Sequence, residues 1–135
     1  MYKATFPGWF KSLAKISEFV SRAVNEVGFD ETTAYTVLVA VDEACTNIIE
    51  HAYGGEGPGE IQCSCEVSED SVTIILRDHG KPFDPTTVPE PNFAVPLEQL
   101  EFRGAGLVLI QKIVDEIDFT STPDGENVLT MVKRK

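Results

Sequence analysis

Apolar residues recur along this chain at two periods, and the switches between them mark out the elements. Tyr2 to Phe6 is short and β-prone and ends at Pro7-Gly8. From there Trp9, Phe10, Leu13, Ile16, Phe19, Val20, Ala23 and Val27 repeat at helical spacing and stop at Gly28. That pattern predicts a first helix with one core-facing side. Asp30 is a good N-cap for a second helix, which runs through Thr33 and Leu38 into Val41–Tyr53. Gly54-Gly55-Glu56-Gly57-Pro58-Gly59 ends it. The period then shortens to two. Ile61, Cys63, Cys65 and Val67 alternate with polar residues, a turn follows at Ser68-Glu69-Asp70-Ser71, and Val72, Ile74 and Leu76 line one face of an antiparallel neighbour.

Residues 81–102 break both periods. With Pro82, Pro85, Pro89, Pro91 and Pro96 the stretch reads as a long irregular loop, of a length that in a compact domain marks either a functional lid or a disordered segment. Leu107, Ile110, Ile113 and Val114 restore helical spacing in a third helix. Ile117–Ser121 and Val128–Val132 follow as strands around Pro123-Asp124-Gly125, with Lys133-Arg134-Lys135 as a solvated tail. Strands that follow one another directly pair antiparallel, and the helices cover one face. The fold class is therefore an α+β two-layer sandwich, in a single domain spanning 1–135.

Three polar features interrupt this apolar pattern. On the second helix, Val41, Cys45, Ile48 and Ala52 share one side, flanked by Ala44 and Ile49, while Glu43, Asn47 and Glu50 gather opposite. A carboxylate and a carboxamide one turn apart suit a general base beside a hard-cation ligand, though an isolated pair of this kind is more often a wet helix face. Asp78 continues the period of Val72, Ile74 and Leu76, so it falls on their apolar side, where a carboxylate needs a partner. It can instead cap the turn Asp78-His79-Gly80, and the glycine admits a close backbone or ligand. Finally, Gly104 and Gly106 precede the third helix, where free N–H groups and the helix dipole favour an anion; a tight turn would use the same residues. The pair follows a lid rather than a strand and lacks a third glycine, so a dinucleotide-binding Rossmann unit is excluded.

Charge and cysteines narrow the setting. The chain has 135 residues and a net charge of −11, from 22 acidic and 11 basic residues. That balance argues against nucleic-acid or anionic-membrane partners, and no stretch has the length of a membrane span. A leader with an apolar run is not expected, and Cys45, Cys63 and Cys65 read as reduced, packed thiols of a cytoplasmic protein. No zinc spacing is present.

Taken together, these residues carry a family resemblance. Val41-Asp42-Glu43-Ala44-Cys45-Thr46-Asn47 with Glu50-His51-Ala52-Tyr53 resembles the N box (41–53) of the GHKL, or Bergerat-fold, ATPases. Asp78-His79-Gly80-Lys81-Pro82-Phe83-Asp84 is similar to their G1 box (78–84), and Arg103-Gly104-Ala105-Gly106-Leu107 to their G2 box (103–107), with 81–102 as the lid. Within that group the chain resembles the bacterial anti-sigma factor serine/threonine protein kinases. The resemblance implies the histidine kinase-like fold, a mixed, mostly antiparallel sheet covered on one face by three helices, with ATP and Mg²⁺ as cofactors. It implies that Glu43 is the general base and Asn47 the Mg²⁺ ligand. Asp78 would accept from the adenine amino group, and Gly80 would make room for the base. Gly104, Ala105, Gly106 and Leu107 would form the phosphate loop, with Arg103 neutralising the γ-phosphate and Thr130 contacting the adenine side. The implied function is anti-sigma regulation with kinase activity towards a STAS-domain anti-sigma factor antagonist, a sigma factor and a second copy of the chain being further expected partners. A nucleotide-dependent protein-binding switch without turnover is the alternative. The chain offers no phospho-acceptor helix, dimerisation hairpin or transducer domain, so a whole sensor kinase, chaperone or topoisomerase is not expected.

Overall fold

In the computed structural model, residues 1–81 and 109–135 are described. They form five strands and two long helices: β1 (Tyr2–Pro7), α1 (Ser12–Val27), α2 (Glu31–Asn47), β2 (Glu60–Val67), β3 (Ser71–Asp78), β4 (Glu116–Ser121) and β5 (Asn127–Arg134). Residues 109–113 are helical, and Ile110 and the adjoining Val114 enter the core. The lid from 82 onward and the 103–107 loop lie outside the described residues.

The strands form one sheet in the order β1-β2-β3-β5-β4. Every pairing is antiparallel, so the expected mixture of directions is absent from the described sheet. Alternation decides the sheet's two faces. Cys63, Leu76 and Leu129 stand in one cross-strand row and Cys65, Ile74 and Met131 in the next. These rows join Ile16, Val20 and Val24 of α1 and Val37, Val41 and Cys45 of α2 in one core, which gives the two-layer α+β sandwich. All three cysteines are buried free thiols within it, and burial pushes the Cys45 thiol well above its ordinary range.

The ends of the elements follow local chemistry. Asp30 caps α2 as expected, its carboxylate accepting from Thr33 N at 2.7 Å. Gly28 ends α1 in the left-handed region at φ 82°, the conformation that favours glycine at a helix end. Two expectations fail. α1 begins at Ser12, not at Trp9, because Pro7-Gly8 turns the chain first: Trp9 N bonds Pro7 O and Gly8 N bonds Gly59 O. Trp9 and Phe10 are left exposed at 38% and 39%. The expected tail is also a continuation of β5. Lys133 pairs with Asp115, Arg134 with Glu116, and Arg134 N donates to Asp115 Oδ2.

One feature has no signal in the apolar pattern. After Asn47 the helix widens into a π turn over Ile48–Ala52, where Tyr53 N reaches back to Ile48 O at 2.9 Å. Such turns insert one residue into an α-helix and concentrate at functional sites.

Candidate active site

The site is built where the end of α2 meets the end of β3. Alternation along β3 buries Val72, Ile74, Leu76 and Asp78 together, and Asp78 is 4% exposed. Its Oδ1 accepts from Gly80 N and from Asn127 Nδ2, both at 2.9 Å. Among the described residues no donor reaches Oδ2. Burial pushes the carboxyl above its ordinary range, opposed by the bonds from Asn127 and Gly80. Among the described residues the bonds to this buried acid all fall on one oxygen, which leaves the other able to accept from an incoming donor.

Gly80 is fixed by its neighbour. A Cβ there would lie 2.5 Å from Ala52 O, a backbone atom that cannot swing aside. The close approach lets Lys81 N bond Ala52 O at 2.7 Å, so the loop after β3 is strapped to the π turn. The glycine therefore makes room for protein backbone on this side.

On α2, Asp42 is exposed whereas Glu43, Asn47 and Glu50 are half-buried, so this is not the fully solvated face of an ordinary amphipathic helix. Partial burial raises the Glu43 carboxyl, and the like charges of Asp42 and Glu50 raise it further. A carboxylate shifted towards neutral pH is better matched to accepting a proton in a reaction. Asn47 Oδ1 is buried with no hydrogen-bond partner among the described residues. An orphaned amide oxygen is a hard donor suited to magnesium, so the residue present fits the ion the motif implies. Glu50 approaches His51 at 3.9 Å, a loose pair at the rim.

The structure thus brings Asp78 and Gly80 against the π-helical extension of the helix that carries Glu43 and Asn47. Arg103, Gly104, Ala105, Gly106 and Leu107 lie outside the described residues. Thr130 is corrected. It pairs with Ile75 and Asp118, which alternate to the face of the sheet away from Asp78 and the helices. The β5 residue that meets Asp78 is Asn127, its cross-strand partner. Asn127 is 2% exposed, donates to both Asp78 Oδ1 and Gly80 O, and accepts from Ser121 Oγ. Parity along β5 carries the signal: Asn127, Leu129 and Met131 share one side, and the latter two are apolar.

Comparison with known proteins places the chain in a family. Residues 6–133 match the histidine kinase-like ATPase domain. The serine-protein kinase RsbW of Halalkalibacterium halodurans is 32% identical over 133 residues, 96% of this chain and 80% of that protein. The RsbW of Bacillus cereus (strain Q1) is 33% identical over 115 residues, 82% of this chain and 71% of its own. For the RsbW of Oceanobacillus iheyensis the figures are 32% over 102 residues, 73% and 65%. The chain therefore spans 65% to 80% of these relatives' lengths. Among solved structures, a chain of the SiaB–SiaC complex from Pseudomonas aeruginosa superposes with a TM-score of 0.62 at 13% identity, covering 98% of this chain and 89% of that one. At that identity the likeness speaks for the fold alone. By the extent of the family match and of its RsbW relatives, this chain belongs to the histidine kinase-like ATPase domain family.

Proposed function

We propose that this chain is an ATP-dependent serine/threonine protein kinase of the anti-sigma type, acting on a STAS-domain antagonist in the cytoplasm. The observation that carries the reading is the buried Asp78 carboxylate, pinned through one oxygen and backed by a glycine that admits no Cβ. The serine-protein kinase name of the sequence relatives supports the choice of acceptor. In this reading Asp78 Oδ2 accepts from the adenine 6-amino group, where guanine carries an oxygen. Glu43 takes the proton of the acceptor hydroxyl as the oxygen attacks the γ-phosphorus of ATP. ADP leaves, and the acceptor becomes a phosphoserine or phosphothreonine. Asn47 holds Mg²⁺, which when bound neutralises phosphate charge. Arg103 and the backbone N–H groups of Gly104, Ala105, Gly106 and Leu107 complete the phosphate side. A sigma factor and a second copy of the chain are further partners in this reading.

The test is transfer of label from γ-labelled ATP to purified STAS-domain antagonists. Wild type labels a serine or threonine, whereas Glu43→Ala still binds Mg²⁺-ATP and labels nothing. Equal labelling by the two removes Glu43 as the base. If both bind nucleotide and neither labels any antagonist, the chain is a nucleotide-dependent switch and not a kinase.

A further inference from the structure

The loop that follows Asp78 is held from two sides. Asn127 holds it from β5. On the other side stands Tyr53, which follows the π turn and has no part in binding or chemistry as described so far. Its hydroxyl donates to Glu60 O at 2.6 Å and accepts from His79 N at 3.0 Å. Glu60 opens β2 and His79 directly follows Asp78, so one phenol joins the starting end of β2 to the finishing end of β3. Immediately before it, Ala52 O takes the Lys81 N–H at 2.7 Å. Three consecutive loop residues are thereby engaged: His79 by Tyr53, Gly80 by Asp78 and Lys81 by Ala52.

The seat of the ring is equally specific. A Cβ on Gly59 would lie 2.5–2.8 Å from atoms of the Tyr53 ring, so the glycine-rich stretch lets the ring lie flat on backbone. The π turn sets the direction. With α spacing Tyr53 N would return to Ile49 O, but it bonds Ile48 O instead. The extra residue turns Tyr53 by roughly 100° relative to a continuous α-helix, the angle of one residue. The widened turn thus joins the helix of Glu43 and Asn47 to the loop of Asp78.

We propose that Tyr53 is a positioning residue for base selectivity: through His79 N–H, beside the Ala52–Lys81 strap, it holds the Asp78 carboxylate in register with the helix that bears Glu43 and Asn47. The inference rests on the nucleotide reading above. A phenylalanine keeps the ring on Gly59 and removes the hydroxyl, leaving the His79 N–H without its partner. The loop then loosens, and Asp78 no longer meets the adenine amino group at a fixed place. ATP loses affinity. GTP, with an oxygen where ATP has the amino group, gains nothing from a well-placed carboxylate and loses little.

The experiment is calorimetric titration of Mg²⁺-ATP and Mg²⁺-GTP into wild type, Tyr53→Phe and the core variant Val20→Ala. Expected is a fall of about tenfold in ATP affinity for Tyr53→Phe, the size of one lost hydrogen bond at a partly buried site, with a matching fall in the ATP-over-GTP ratio. Val20→Ala lowers the melting temperature and keeps the ratio. Wild-type affinity and ratio in Tyr53→Phe overturn the proposal, as does an equal loss of ratio in Val20→Ala, which would reduce the effect to general loosening. A wild type that binds neither nucleotide overturns the nucleotide reading itself and this inference with it. Hydrogen exchange of the wild-type chain gives a reading free of any variant. Mg²⁺-ATP slows exchange of the His79 and Lys81 amides, and unchanged exchange in the presence of bound ATP overturns the proposal.

Discussion

Asp78 sits where stability and ligand recognition pull in opposite directions. Its pKa is raised in the folded chain, chiefly by burial. Between the unfolded and the folded pKa the folded state therefore binds more protons, so stability grows as pH falls through that window. At neutral pH the ionised carboxylate is a cost to folding. Asp78→Asn removes the charge, while its amide oxygen can still accept from Gly80 N and Asn127 Nδ2. We expect this variant to melt at or above the wild-type temperature at neutral pH, with the gap closing in acid, and to bind ATP about 10–100-fold more weakly. A large drop in melting temperature would mean that the carboxylate is structural. Glu43 obeys the same sign for a different readout. Asp42 is exposed and contributes to the upward shift of Glu43 by like charge. Asp42→Asn should therefore move the acidic limb of the kinase pH profile to lower pH, and a limb that stays in place would separate Glu43 from the proton transfer.

At the scale of elements, the meeting of the π turn with the end of β3 matters most. It depends on backbone approach, so Gly80→Ala is a sharp probe. The added methyl meets Ala52 O and must push the strap open, which we expect to cost about 1–3 kcal/mol of stability in denaturant titration and to weaken ATP binding in parallel. A Gly80→Ala variant with unchanged stability would show that the approach is looser than this. Only part of this junction is legible in the sequence. The period-two pattern is enough to place Asp78 on a buried face, because alternation is a strict geometric consequence of a strand. It also contains the cue for Asn127, which shares its parity with Leu129 and Met131; a strand begun at Val128 hides that cue, and Thr130 comes from the family resemblance instead. The π turn is different in kind. Ile48-Ile49-Glu50-His51-Ala52 is an acceptable α-helical run, and what widens it is the tertiary engagement of Ala52 and Tyr53 with the loop at 79–81. Local propensity carries no record of a partner found only on folding. Trp9 and Phe10 depart from their pattern for a related reason: their spacing suits a helix, but Gly8 N bonds Gly59 O from a distant loop and delays the start.

For the molecule as a whole, the two layers divide the work. The buried rows of the sheet and the apolar sides of α1 and α2 supply cohesion, while one end of the sandwich gathers the polar groups that are short of partners. Mg²⁺-ATP at a hundred times its dissociation constant should stabilise the chain by about 2.7 kcal/mol, or roughly 10 °C in melting temperature. ATP with a chelator should give a smaller shift, and Asn47→Leu should make the two shifts equal. If chelation makes no difference in the wild type, Asn47 does not serve the ion. The Asn47 oxygen bears on evolution as well as on chemistry. An acceptor that, like Asn47 Oδ1, is buried with no donor among the described residues is a penalty to the folded state until a ligand meets it. A laboratory selection for heat resistance alone, run without nucleotide, should discard Asn47 and Asp78 long before it touches Val20. Survivors of that selection would be sturdier and functionally mute.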